Sequence, residues 1–179
     1  YVKAGGQVAK EILIPFPNIE FQAHLTEIAS LKPDAVFTFF SGGGAVKFMK
    51  DYDAAGLKKS IPLFGAGFLT DGTLQAAGPA GEGIITTLHY AESLANPTNK
   101  RFTAAFKAKT GRPADVFAVQ GYDTGQLLVH AMKAVKGDVK AKKEIMAAMR
   151  AAKLDSPRGT MTFSKSQNPI QDIYLREVK

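Results

Sequence analysis

Two short glycine turns hold the residues of this 179-residue chain whose types and spacing suit a ligand. Ser41-Gly42-Gly43-Gly44 follows the apolar run Ala35 to Phe40, and Gly65-Ala66-Gly67-Phe68 closes the run that starts at Ile61. A helix that begins with three glycines presents N–H groups without intrahelical partners, the positive end of its dipole, and no Cβ atoms. A carboxylate or another small anion could approach such a backbone closely. A tight strand-to-helix turn in which glycine only serves the geometry accounts for the same residues, and the sequence leaves both readings open. Phe39, Phe40 and Phe68 flank the turns. Rings at that end of a sheet would enclose a planar apolar body while the amides hold its charged end. Phe37 and Phe39, inside the strand, read as core. Phe40 and Phe68, at strand ends, read as site.

No catalytic arrangement is present. The chain lacks a G-x-S-x-G elbow, a G-x-x-x-x-G-K-[ST] phosphate loop and an H-E-x-x-H pair. Gly65-Ala66-Gly67 opens like a dinucleotide fingerprint, but Thr70 takes the place of the third glycine. His24, His89 and His130 are far apart and read as packed or surface histidines, and Asp51 and Asp53 sit on a polar helix face. Zero cysteines exclude disulfides, thiolate nucleophiles and cysteine metal sites, and suit a reducing or an oxidising compartment equally. The expectation is a protein that is not an enzyme, with no metal and no cofactor.

The elements that must position these turns follow from apolar spacing. Tyr1 to Gly6 reads as the end of a helix closed by Gly5-Gly6, so the fold is expected to begin before residue 1. A strand is expected over Gln7 to Ile14, broken by Pro15, Pro17 and Asn18, then a helix on Phe21, Leu25 and Ile28 that ends near Lys32-Pro33. Ala35 to Phe40 suits a strand buried on both faces. Ala45, Phe48, Met49, Tyr52 and Ala55 make one face of a helix, with Gly56 as its left-handed cap. A third unit runs from Ile61 through Ala66 to Leu69 into a short helix behind Asp71 as N-cap. This βαβαβα alternation predicts a parallel, right-handed, doubly wound sheet. Beyond the β-rich run Gly81 to Tyr90 come three helices, closed by Gly111, spanning about Asp115 to Val135, and built on Ile145, Ala148 and Met149. Thr160 to Phe163 and Ile170 to Val178 then alternate like two strands joined at Lys165 to Pro169.

The composition, 45% hydrophobic and 22% charged, is that of a globular domain, and no apolar run approaches the roughly 20 residues of a membrane span. The net charge of +7 is carried by the second half: residues 1–88 hold 7 basic and 8 acidic groups, residues 89–179 hold 16 and 8. The lysines are scattered over helical faces with no basic aromatic stripe, so a solvated surface rather than nucleic acid is expected.

The stretches KPDAVFTFFSGGGAVKFMK, PLFGAGFLTDGTLQAAGPAGEGIITTLHY, FAVQGYDTGQLLVHAMKAV and LDSPRGTMTFSKSQNPIQDIYLREV together resemble the latter half of a type I periplasmic solute-binding protein. The likeness is to the leucine/isoleucine/valine-binding family of ABC importers, in the branch that takes aromatic acids. The resemblance implies an α/β fold of two lobes with the ligand closed between them. Residues 1–86 would be most of the second lobe, 87–157 a crossing and helices of an incomplete first lobe, and 158–179 the return crossing and last strand of the second. A signal peptide would belong to the precursor, and the protein would be periplasmic or a cell-surface lipoprotein. Its partners would be a small organic acid and the transmembrane subunits of an ABC permease.

The resemblance also implies ligand positions: Phe40, Ser41, Gly42 and Gly43 after one strand, Gly67 and Phe68 after the next, and Tyr122 and Asp123 in the GYD motif of a first-lobe helix, where structural packing is the competing role. Amino-acid-binding members carry an acidic residue near the place of Gly67, to pair with the ligand ammonium. A buried ammonium without that partner costs several kcal/mol. Glycine here therefore points to an aromatic or other apolar carboxylate over a branched-chain amino acid. A sensory or regulatory ligand-binding domain of the same fold is the alternative.

Overall fold

The computed structural model describes residues 1–15, 17 and 19–179, which form two compact units: Tyr1–Thr87 with Leu175–Lys179, and Leu88–Tyr174. The chain leaves the first unit after Thr87 and returns after Tyr174.

In the first unit, β1 (Val36–Thr38), β2 (Leu63–Ala66) and β3 (Ile85–Leu88) are parallel neighbours, as the alternation predicted. Helix α1 (Gln22–Leu31) buries Leu25 and Ile28 and stops at Lys32, whose φ of 47° precedes Pro33. Helix α2 (Gly42–Ala54) buries Ala45, Phe48, Met49 and Tyr52, and Gly56 follows its end at φ 73°. These side chains meet Phe21, Leu63, Leu69 and Ile84 in one core. Tyr52 is fully buried there, its O–H donating to the Ile61 carbonyl at 3.0 Å, and burial pushes its phenol pKa up to about 12.

Three expectations are corrected in this unit. No strand forms over Gln7 to Ile14: Ile12 and Ile14 pack against the core and Lys10 Nζ meets Glu27 at 3.0 Å, so the apolar parity is satisfied without a ladder. Asn18, expected to help end that strand, lies outside the described residues. β1 is not buried on both faces, since Phe37 is 71% and Phe39 64% exposed. Val36 and Phe40 pack on the core while Phe37 pairs in register with Phe64 on the opposite face, which the core does not reach. Asp71 is not the N-cap: helix α3 (Leu74–Ala77) begins after Thr73 with no side-chain cap bond, and the Asp71 carboxylate accepts from Arg176 Nη1 at 3.0 Å.

The second unit holds α4 (Pro97–Thr110), α5 (Val116–Ala134) and α6 (Lys142–Ala151), with the antiparallel strands β4 (Leu154–Ser156), β5 (Gly159–Phe163) and β6 (Pro169–Ile170). Asn96 and Asp115 cap α4 and α5 by accepting from the Asn99 and Ala118 N–H groups at 2.7 and 2.8 Å. Gly111, at φ 74°, closes α4. The expected strand Ile170 to Val178 is split, because its two ends serve different sheets. β6 pairs with β5, whereas β7 (Tyr174–Glu177) completes the order β1-β2-β3-β7 of the first unit. The Gly83 N–H donates to the Val178 carbonyl at 2.9 Å, and the Val178 N–H to Ile84 at 3.1 Å. Among the described residues no helix is long and apolar enough to cross a membrane.

Candidate ligand-binding site

The register of β1 and β2 sets Thr38 beside Gly65, so the segments after them, Phe39 to Gly43 and Gly67 to Phe68, leave the sheet at the same end. Ser41 is the extended N-cap of α2, with φ −143° and ψ 161°, and no side chain caps this N-terminus. The first amides of α2 therefore lack intrahelical partners and, among the described residues, a capping side chain. Ser41, Gly42 and Gly43 are exposed.

The three glycines of this turn are not equivalent. Gly42 has φ 54°, a left-handed conformation that favours glycine. At Gly43 the backbone is ordinary and, among the described residues, a Cβ would meet nothing within 4 Å, while at Gly44 it would meet Ile19 Cγ2 at 3.9 Å, a normal contact. Turn geometry thus explains Gly42 and leaves Gly43 and Gly44 unexplained. Gly65 is different again: a Cβ would lie 2.6 Å from Leu69 Cδ2 and 3.1 Å from the Thr38 carbonyl. Packing between β1 and the turn after β2 requires that glycine, which removes any need for a dinucleotide to account for it.

After β2 the chain makes a 3-10 turn over Gly67–Leu69, with the Gly67 carbonyl accepting from the Thr70 and Asp71 N–H groups at 3.1 and 2.9 Å. Phe68 is half-buried and meets Phe39 edge to face, with centroids 6.2 Å apart and planes at 70°. Phe39, expected as core, is exposed, and Phe40 is half-buried. Phe40 turns inward against Phe21 and Phe48, at 5.1 and 4.8 Å between centroids. Phe39 is the ring exposed beside the glycine turns. Its exposure was hard to foresee because Val36 to Phe40 carries apolar residues at both parities; its separation from Val36 by an odd number of residues sets it on the other face of the strand.

Tyr122 and Asp123 lie in the second unit. The Tyr122 ring packs on Phe102, 4.9 Å between centroids. Asp123 is 3% exposed, and its Oδ2 accepts from Ser156 Oγ at 2.8 Å and from Arg158 Nε and Nη2 at 2.8 and 2.7 Å. Gln171 Oε1 takes a further donation from Arg158 Nη1 at 2.9 Å. Both charges are matched inside the unit, and this arrangement ties α5 to the loop between β4 and β5. Among the described residues no group of three or more His, Cys, Asp or Glu could hold a metal.

A sequence profile described as periplasmic binding protein matches residues 1–179. The chain belongs to the periplasmic binding protein family. A Leu/Ile/Val-binding protein homolog of Brucella melitensis is 34% identical over 99% of the chain and 47% of its own length. An ABC-transporter solute-binding protein of R. palustris, solved in complex with benzoate, superposes with a TM-score of 0.96 at 57% identity, over 99% of the chain and 49% of its own. Another from Rhodopseudomonas palustris BisB5, in complex with 3,4-dihydroxybenzoic acid, has a TM-score of 0.91 at 34% identity, over 99% and 50%. The chain thus spans about half the length of these periplasmic binding protein relatives. Their fold is the type I α/β fold that the resemblance implied.

Proposed function

We propose that the protein carrying this chain is the extracytoplasmic solute-binding component of an ABC importer, that it captures a small aromatic carboxylate, and that it delivers it to the permease. The acid group is held at the start of α2 by the amides that follow Ser41, and the ring is walled by Phe39 and Phe68. Gly67, buried and without a side chain, offers no partner for a ligand ammonium.

The observation that carries this reading is Gly43. An exposed helix position at which neither φ nor packing against any described residue demands glycine is accounted for by a guest that needs the space. The benzoate and dihydroxybenzoate complexes of the relatives supply the chemical class. Branched-chain amino acids are the competing ligands. The structural work of Asp123 within its own unit leaves it no part in this proposal, and Phe40 acts by backing the turn rather than by touching the ligand.

The test is calorimetric titration and thermal unfolding of the full-length protein with benzoate, 4-hydroxybenzoate and leucine. A ligand present at about a hundredfold excess over its Kd stabilises the folded state by about 2.7 kcal/mol, a rise of several degrees in Tm. A rise with the aromatic acids and none with leucine is the expected result. A response to leucine alone overturns it.

A further inference from the structure

The turn that carries Gly67 and Phe68 is gripped from behind by a buried polar cluster that no ligand need touch. Thr70 Oγ1 accepts from Arg176 Nη2 at 2.8 Å and lies 3.1 Å from Thr86 Oγ1, with one hydroxyl donating to the other. Arg176 Nη1 donates to Asp71 Oδ1 at 3.0 Å, and its Nη2 reaches the Gly67 carbonyl at 3.4 Å. Thr70 and Thr86 are 2% and 1% exposed, and the Arg176 and Asp71 side chains 16% and 11%. Hydrogen bonds to a charged guanidinium in such a dry place are short, strong and directional.

The positions of these residues along the chain give the cluster its meaning. Thr86 lies in β3, one residue before Thr87, where the chain leaves the first unit. Arg176 lies in β7, one residue after Leu175, where it returns. Thr70 binds both to the turn between them. The Gly67 carbonyl is drawn into this cluster by the Thr70 and Asp71 amides and by Arg176. A trans peptide is planar with its N–H opposite its C=O, so the same grip aims the Phe68 N–H away from the cluster.

We propose that Thr70, Thr86 and Arg176 form a positioning knot that sets the Gly67–Phe68 turn for the ligand and links it to both segments by which the chain passes between its units. The proposal rests on the ligand reading given above. It makes affinity for an aromatic carboxylate depend on three side chains behind the site, and makes a change in either crossing strand felt at the turn. Differential affinity of this kind is what a ligand needs to favour one arrangement of a protein over another.

The experiment uses full-length protein with Thr70→Val, Thr70→Ser, Thr86→Val and Arg176→Gln, each measured by benzoate titration and by hydrogen exchange without ligand. Thr70→Val keeps the shape and removes the hydroxyl, and is expected to raise the Kd about tenfold, the effect of one lost hydrogen bond to a charged partner. Thr70→Ser keeps the hydroxyl and is expected to stay within about twofold. Thr86→Val and Arg176→Gln are each expected to speed exchange at residues 68–71 as well as in their own strands. Adding either to Thr70→Val should raise the Kd little further, because the three share one network. A Kd unchanged in Thr70→Val, exchange changes confined to the mutated strand, or additive double variants overturn the knot. Absence of benzoate binding by the unaltered protein overturns the ligand reading instead, and the exchange measurement still decides the linkage.

Discussion

Phe39 and Phe68 come from different βα turns, 29 positions apart in the chain, yet meet edge to face with ring centroids 6.2 Å apart. That contact leaves Phe39 64% exposed beside the glycine start of α2. Removing either ring should cost affinity for an aromatic acid without much cost in stability. Phe39→Ala and Phe68→Ala are each expected to raise the benzoate Kd about tenfold by titration, as an aromatic contact and its apolar area contribute about 1–2 kcal/mol.

Phe40→Ala should behave in the opposite way. Its ring packs on Phe21 and Phe48, so truncation leaves a cavity beside the core and is expected to lower unfolding stability by about 2–4 kcal/mol. Urea denaturation measures this directly. A Phe40→Ala variant with unchanged stability and abolished binding would reverse the assignment of the two rings.

Gly42 and Gly43 separate geometry from function. Gly42→Ala forces a side chain into φ 54° and should destabilise by about 1–2 kcal/mol. Gly43→Ala enters open space at an ordinary φ and should be neutral or stabilising by up to about 1 kcal/mol. The same methyl occupies the approach to the α2 amides, so benzoate binding is expected to weaken at least about tenfold, an overpacking effect of about 1–3 kcal/mol. Thermal unfolding and titration on one preparation decide it.

Asp123 and Arg158 are a buried ion pair in the second unit, with side chains 4% and 8% exposed. Asp123→Ala strands a buried guanidinium and is expected to cost about 3–5 kcal/mol in chemical denaturation. Replacing both by apolar residues of similar volume should recover most of that loss, since the pair's own attraction largely offsets its desolvation.

Tyr52 supplies a pH signature at the alkaline end. Its folded pKa is raised to about 12 by burial from an ordinary value of 10.0, so the unfolded chain gives up the proton first. Stability is therefore full below pH 10 and falls by roughly 2–3 kcal/mol as pH rises toward 12, at 1.36 kcal/mol per unit. Tyr52→Phe loses the hydrogen bond to Ile61, a cost of about 1 kcal/mol at neutral pH, and should flatten that fall. Unfolding free energy measured from pH 9 to 12 in both proteins checks the slope.

The parts of the fold legible in sequence were those with local causes. Gly56 and Gly111 end helices because each takes a positive φ, and Asp115 begins one because its carboxylate reaches an amide three residues on. The parallel order of β1, β2 and β3 follows from strands alternating with helices of short connection. What was not legible depends on partners distant in sequence. Asp71 looks like an N-cap until Arg176, 105 residues later, claims its carboxylate. The strand expected at Gln7 to Ile14 has the right alternation, and nothing local says that its isoleucines will pack without a ladder. The exposure of Phe39 was hidden for a related reason: with apolar residues at both parities, only the location of the core on one face of β1 chooses which ring goes in.

The proposed seat for an acid, made of main-chain amides, has an evolutionary corollary. Point mutation can reshape the phenyl walls at Phe39 and Phe68 freely, but it can scarcely edit a peptide group, and at Gly42 it can scarcely even decorate one. On the proposed reading, descendants of this protein would change diet by swapping the rings that judge a molecule's body, while the grip on its acidic head passes unaltered from one specificity to the next.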